Sequence, residues 1–169
     1  FSLQDLFGDD IDGTAFTAFS TGGTATQVYE VTSPYPEAEL FNFQMAQKGN
    51  VIYTAHRSYA PYKLTRVSST SSTFSTYSRT SDPFTGADEY PGAVTFYEGR
   101  LWFASSNNYP DRVWGSRGPQ ATGATRYDDF TTGADADHAL ILPVESNSNE
   151  SVYIHWLIGL RAFIVIGTE

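Results

Sequence analysis

The sequence predicts an all-β protein of antiparallel multi-strand units that form part of a β-propeller-like domain, and three observations support this. Aromatic residues make up 15% of the 169 residues and, with valine and isoleucine, favour strands. Turn residues separate short runs in which apolar and polar residues alternate, as in consecutive hairpins. Finally, Gly49, Gly99 and Gly159 are expected at corresponding hairpin turns of a repeat. Because one such unit cannot bury both of its faces, a repeat predicts a propeller or a similar radial array.

The first part of the chain is the least regular. Residues 1–26 have weak periodicity and are expected to form an irregular arm or loop with one short strand. A strand is predicted at Gln27–Val31. Pro36–Leu40 could open a helical turn, because acidic residues favour a helix N-terminus. The first hairpin unit then spans Leu40–Val67.

A run rich in serine and threonine occupies residues 68–81 and admits two interpretations, a linker or an outer strand. Phe74 and Tyr77 lie within this run, together with several β-branched threonines. These residues favour a solvent-facing outer strand.

The second unit, Pro91–Gly118, is the most regular stretch of the chain. Its pattern predicts strands at Ala93–Tyr97, Arg100–Ser105 and Val113–Ser116, with Glu98-Gly99 as the first turn.

A long insertion follows, and then a predicted strand at His138–Pro143. One propeller-like β domain is expected at 27–169, with units at about 27–82, 83–137 and 138–169.

Two irregular segments, 80–90 and 118–137, are long for simple connections, so they are expected to be functional or interfacial. Both ends of the chain look cut, so the sequence is expected to be an interior piece of a longer protein with an incomplete fold.

Composition restricts the possible functions. The net charge is −9, so we do not expect a broad positively charged face that binds a phosphate backbone. An acidic wall could instead repel DNA. There is no cysteine. The longest apolar stretch, residues 154–167, contains His155, Gly159 and Arg161 and is predicted to be a hairpin rather than a membrane span.

An acidic cluster near the start of the chain, Asp9, Asp10 and Asp12 before Gly13, loosely resembles a calcium loop. The later ligands of such a loop are missing, in particular a bidentate glutamate. A solvated acidic turn is therefore the preferred interpretation.

Two further acidic groups are candidates for chemistry. Asp135, Asp137 and His138 could ligate a metal, but no second ligand cluster has suitable spacing. Asp128 or Asp129 could supply a glycosidase carboxylate, which requires a partner across the sugar. Because the chain has 19 acidic residues, such a pair in the sequence does not distinguish a glycosidase from other proteins.

Nucleophilic catalysis has no support in the sequence. No serine sits in a Gly-x-Ser-x-Gly elbow, and no phosphate loop or dinucleotide fingerprint occurs. His56, His138 and His155 are interpreted as ordinary packed or half-exposed residues. No catalytic, cofactor-binding or metal-binding residues are therefore assigned, and no enzyme activity is expected.

The three tryptophans, Trp102, Trp114 and Trp156, could form a platform for stacking sugars. At strand positions they are more often buried in a core or between sheets. All three are therefore predicted to be mostly buried.

Three stretches carry a resemblance to a known family. They are Tyr29–Arg66 (with EAELFNFQMAQKGNVIYTAHRSYAPYKLTR), Tyr90–Gly118 (YPGAVTFYEGRLWFASSNNYPDRVWGSRG) and Ile154–Glu169 (IHWLIGLRAFIVIGTE). In this order they resemble the central, propeller-like part of bacteriophage tail nozzle proteins, the tail tubular protein B type of short-tailed phages. The resemblance covers roughly residues 27–169. Position 60 is an exception, because this chain has alanine where a second proline is common in that family.

The resemblance implies a structural protein of the virion, located in the phage tail. Such proteins form a homo-oligomeric ring of six copies that attaches to a tail adaptor protein, with possible contacts to tail fibres or spikes. The ring encloses the channel through which DNA leaves without specific binding, and the family has no catalytic residues to transfer.

Two alternatives remain open at this point. One is a tail-associated propeller that binds or degrades glycans, which would need exposed aromatic side chains beside paired carboxylates in one pocket. The other is an extracellular propeller that binds proteins.

Overall fold

The computed structural model describes residues 30–76, 78–119, 126–145, 152–162 and 164–168, which form three antiparallel sheets. The prediction of an all-β fold built of antiparallel units is confirmed. Sheet 1 consists of β1 (Gln44–Lys48), β2 (Val51–His56), β3 (Tyr59–Arg66) and β4 (Ser72–Thr76). Sheet 2 consists of β5 (Ala93–Tyr97), β6 (Arg100–Ala104), β7 (Arg112–Gly115) and β8 (Leu140–Pro143). Sheet 3 is the hairpin of β9 (Ile154–Gly159) and β10 (Ile164–Thr168).

Helical structure among the described residues is limited to the short 3₁₀ turns Glu37–Glu39, Ala87–Glu89 and Arg126–Asp128. The first of these falls inside the segment for which the sequence predicts a helical turn. Of the predicted strand Gln27–Val31, residues 27–29 lie outside the described part, and the last two residues are not in a strand. Within the described ranges, no helix has the length and apolar character needed to cross a membrane.

Tight turns close the first hairpin of sheet 1 and of sheet 2. Glu98 and Gly99 link β5 to β6, and both have positive φ (46° and 71°), as a type I′ turn requires. Gly49 (φ 60°) and Asn50 link β1 to β2. The predictions that Gly49 and Gly99 occupy hairpin turns are therefore confirmed.

The corresponding prediction for Gly159 is wrong. Gly159 is the last residue of β9 and pairs with Ile164, so it precedes the turn. Its backbone N–H donates to Oγ1 of Thr95 (2.9 Å), and a Cβ built on it would lie 2.1 Å from the carbonyl oxygen of Phe96. Glycine is needed here because two backbones of neighbouring sheets approach closely.

Sheet 2 lies between sheets 1 and 3 and is covered on both faces. One core cluster joins sheet 2 to sheet 1 and includes Tyr53, Phe84, Phe103, Trp114 and Phe130. A second cluster joins sheet 2 to sheet 3 and includes Ala93, Trp102, Val113, Ile154 and Leu157. Every residue of β6 is buried as a result, which explains its nearly continuous apolar sequence.

The first strands of the three sheets are neighbours, because β5 contacts β1 on one side and β9 on the other. The Gln44 side chain also donates to the backbone carbonyl of His155 (2.8 Å), which links β1 to β9. Three stacked sheets with adjacent first strands are compatible with a radial array. A closed propeller remains a prediction.

The irregular segments that the sequence marks as interfacial pack on each other. The Thr80 N–H donates to the carbonyl of Asp128 (2.8 Å), and the Phe130 N–H donates back to the carbonyl of Thr80 (2.9 Å). Phe84 and Phe130 from these segments are buried between sheets 1 and 2. These two aromatic side chains therefore contribute to the core.

Two strands, β4 and β8, bear on the predicted strand order and unit boundaries. β4 is the edge strand of sheet 1, which confirms that the serine- and threonine-rich run contains an outer strand. Tyr77 of that run lies outside the described residues. β8 pairs with β7, so sheet 2 continues to Pro143, past the expected end of the second unit at 137.

Candidate functional site

A polar cleft of about 350 Å³ lies where the three sheets meet. All three first strands begin beside it, because Gln44, Gly92 and His155 line its wall. The rest of the lining comes from the segment before β1, with Glu39 and Asn42, and from the end of β2 and the turn after it, with His56, Arg57 and Ser58. What this cleft can do chemically depends on how its polar side chains are already paired.

His56 is buried and holds Glu39 in the cleft. The backbone N–H of Ser58 donates to Nδ1 of His56 (3.0 Å), so Nδ1 is the acceptor and Nε2 carries the proton of the neutral ring. Nε2 then donates to Oε2 of Glu39 (3.0 Å), and Nδ2 of Asn42 donates to the same oxygen (2.9 Å). The hydrogen bonds from Asn42 and His56 lower the pKa of Glu39.

Arg57 connects the cleft to the start of sheet 3. Its guanidinium carbon lies 3.9 Å from the centre of the Tyr153 ring, and its Nη2 donates to the carbonyl of Ile154 (2.8 Å). Gly92 packs closely against it, since a Cβ on Gly92 would lie 2.5 Å from Nε. Burial lowers the pKa of Arg57. Within the described part of the chain, its buried Nη1 has no hydrogen-bond partner.

The cleft can recognise polar groups, but it does not assemble a hydrolytic site from the described residues. Glu39 is the one carboxylate in its lining, whereas glycoside hydrolysis usually needs two. Both ring nitrogens of His56 are engaged, so His56 does not activate the Ser58 hydroxyl as a general base. His155 is exposed, and its ring lies 4.8 Å from that of Tyr153.

The acidic trio of the insertion does come together. Potential ligand atoms of Asp135, Asp137 and His138 all lie within 4.8 Å of one another. However, Arg117 forms an ion pair with Asp137, and Nδ1 of His138 accepts the backbone N–H of Asp135 (3.2 Å). These bonds explain the cluster as the internal support of a loop, and metal binding there remains untested.

Asp128 and Asp129 are also held in ion pairs. Asp128 pairs with Lys63 of β3, and Asp129 lies 3.7 Å from Arg117. Burial raises the pKa of Asp128, while the hydrogen bond and charge of Lys63 oppose that shift. Asp128 thus attaches the insertion to sheet 1, and Asp129 lies beside Arg117, which follows β7. The cluster of Asp9, Asp10 and Asp12 lies outside the described residues.

The tryptophan predictions are confirmed for two residues and wrong for the third. Trp102 and Trp114 are only 7% and 3% exposed, and they lie on opposite faces of sheet 2. Trp156 is 40% exposed because it lies on the face of sheet 3 that no other described sheet covers. It packs over Gly167. The three side chains therefore do not form one sugar-stacking platform.

Sequence reasoning missed Arg100, which is buried at the start of β6. Its Nη1 donates to the carbonyls of Ser116 (2.7 Å) and His138 (2.6 Å), and its Nη2 donates to the carbonyl of Ala136 (2.7 Å). Arg100 thus fixes the insertion onto sheet 2. The sequence offers no signal for this role, since an arginine after a hairpin turn is ordinarily exposed.

Comparison with protein-family models, with curated proteins and with solved structures finds no match to this chain.

Proposed function

We propose that this protein is a structural subunit of a bacteriophage tail, of the nozzle or tail-tube type. The observation that carries the proposal is the stack of three antiparallel sheets with adjacent first strands. Such a stack could serve as a rigid wall element of a ring. The family resemblance of the three sequence stretches supports the same role.

In this proposal, six copies form a ring that binds a tail adaptor protein and surrounds the path of the DNA. The net charge of −9 supports a wall that repels phosphates, so that the genome passes without adhering. Tail fibres or spikes are further candidate partners. The segments 80–90 and 118–137 are the proposed contacts between copies, through their exposed polar residues.

Electron microscopy of native phage particles that carry this chain tests the proposal. The expected result is density for this three-sheet stack in a closed ring at the distal tail, around the channel. A position outside any tail ring would overturn it, as would a ring in which both segments face only solvent.

A second candidate, a glycan-binding tail protein, is favoured by one observation, the polar cleft. A carboxylate, two amides and two imidazoles line it, and such groups bind sugar hydroxyls. Binding to a glycan array measures this function directly. If Glu39→Gln abolishes binding and Glu37→Gln, a nearby exposed control, does not, the glycan function replaces the structural one.

A further inference from the structure

An apolar groove lies on the face of sheet 1 that points away from sheet 2. Its volume is about 230 Å³, and the side chains that line it are mainly apolar: Val31, Tyr35, Phe43, Met45, Ile52, Leu64 and Phe74. Met45 is 60% exposed there. The opposite face of sheet 1 is covered by sheet 2, so the groove marks the uncovered side of this sheet among the described residues.

The chain just before β1 already packs against this face. Tyr35 is buried on it, stacks on Phe43 with ring centres 4.9 Å apart, and shares a hydrogen bond with Oγ1 of Thr54 (2.8 Å). Val31, Thr32 and Ser33 form part of the groove wall. The described part of the chain therefore begins at the wall of this groove.

We propose that the first 29 residues of the chain are the occupant of this groove. They are the only undescribed segment long enough, because the others span six residues or fewer. They contain four phenylalanines, whose side chains suit an apolar surface, and their four aspartates would remain in solvent. Their attachment at the groove wall also gives them a high effective concentration, about millimolar for a short flexible link. This proposal does not depend on the proposed function.

The composition of the chain provides two unique probes. Met45 is its single methionine, and there is no native cysteine, so one introduced cysteine can carry a spin label. We would compare the rate of Met45 oxidation by hydrogen peroxide in the full chain and in a chain that begins at Glu30. Because oxidation follows exposure, the full chain should react about fivefold more slowly.

A matched control uses the uncovered face of sheet 3. In the double variant Met45→Leu/Ile158→Met, the methionine replaces a half-exposed residue of β9. Its oxidation rate should be the same in the full and shortened chains. Equal rates for Met45 in the two chains would overturn the proposal.

A second measurement keeps the full chain and so does not depend on folding of the shortened one. A spin label on Ala18→Cys should broaden the methyl signal of Met45 and leave the methyl signal of the Ile158→Met control sharp. Absence of broadening at Met45 would overturn the proposal. Broadening that appears only between labelled and unlabelled copies would assign the groove to a second copy and overturn it as well.

Discussion

Sheets 1 and 2 share the same four-strand order but are stabilised in different ways. Sheet 2 is covered on both faces, and the buried Arg100 attaches the insertion to it through backbone carbonyls alone. Sheet 1 is covered by a sheet on one face, and Lys63 attaches the insertion to it through the carboxylate of Asp128. Two of the cations that hold the insertion therefore differ, because Arg100 has neutral acceptors and Lys63 has a charged partner. This difference predicts different responses to mutation and to pH.

The largest effect is expected for Arg100→Met. It would leave the buried carbonyl of Ser116 and the partly buried carbonyls of Ala136 and His138 without their donor, so the free energy of unfolding should fall by about 3 kcal/mol. Urea denaturation at neutral pH measures this loss. Arg66→Met, at an exposed arginine of β3, is the control and should change stability by less than about 0.5 kcal/mol. Similar losses in both variants would contradict the anchoring role.

The Lys63→Met variant should lose about 2 kcal/mol at neutral pH, because it leaves Asp128 buried and ionised without its cation. Because the pKa of Asp128 is higher in the folded than in the unfolded state, the folded protein favours the protonated carboxyl over the carboxylate. The loss of stability should therefore shrink as the pH falls through this raised pKa. Denaturation curves at neutral and acidic pH measure the change.

The double variant Lys63→Met/Asp128→Asn is the control for that experiment, because it removes the titrating group. Its loss of stability should not vary over the same pH range. A loss in Lys63→Met that is equally large in acid would show that the charge of Asp128 is not its cause.

Glycine substitutions in the two hairpin turns compare the sheets on a smaller scale. Gly49→Ala should cost about 1 kcal/mol, because φ is positive but the space around it is open. Gly99→Ala has the same conformational cost, and its new Cβ would also lie 3.2 Å from Cβ of Pro119. Thermal unfolding should therefore show a larger drop for Gly99→Ala. Equal drops would mean that Pro119 moves aside at no cost, and the reverse order would contradict the prediction.

The smallest effect is expected for Glu39→Gln in the cleft beside sheet 1. The pKa of Glu39 is lowered in the folded protein. Ionised Glu39 therefore stabilises the fold above its unfolded pKa, and this stabilisation is lost as the pH falls through the folded pKa. The variant should therefore lose less stability on acidification than the native protein. Melting temperatures across mildly to strongly acidic pH measure this, and parallel curves would exclude the contribution.

The sequence predicted the strands of sheet 2 closely because its turn residues and its apolar pattern agree. Glu98 and Gly99 mark the turn, and the strands on either side carry the residues that become buried. It failed at Gly159 and Trp156, and the physical reason is the same. Periodicity shows that a strand has two faces, but it does not show which face another sheet covers or how closely two backbones approach.

The candidate site was the least predictable part of the molecule. The cleft gathers Glu39, His56 and His155 from three separate stretches of the chain, and no spacing in the sequence links them. The trio Asp135, Asp137 and His138 was found because its members are close in sequence. Its pairing with Arg117 depends on the fold and could not be anticipated.

The close approach at Gly159 has a geometric consequence for the whole stack. At the first strands, sheets 2 and 3 touch backbone to backbone, whereas farther along sheet 2 the same interface holds the large side chain of Trp102. Trp102 pairs with Thr95 on the neighbouring strand, so a glycine and a tryptophan lie close together in this interface. A side chain at position 159 would therefore push sheets 2 and 3 apart where their first strands meet.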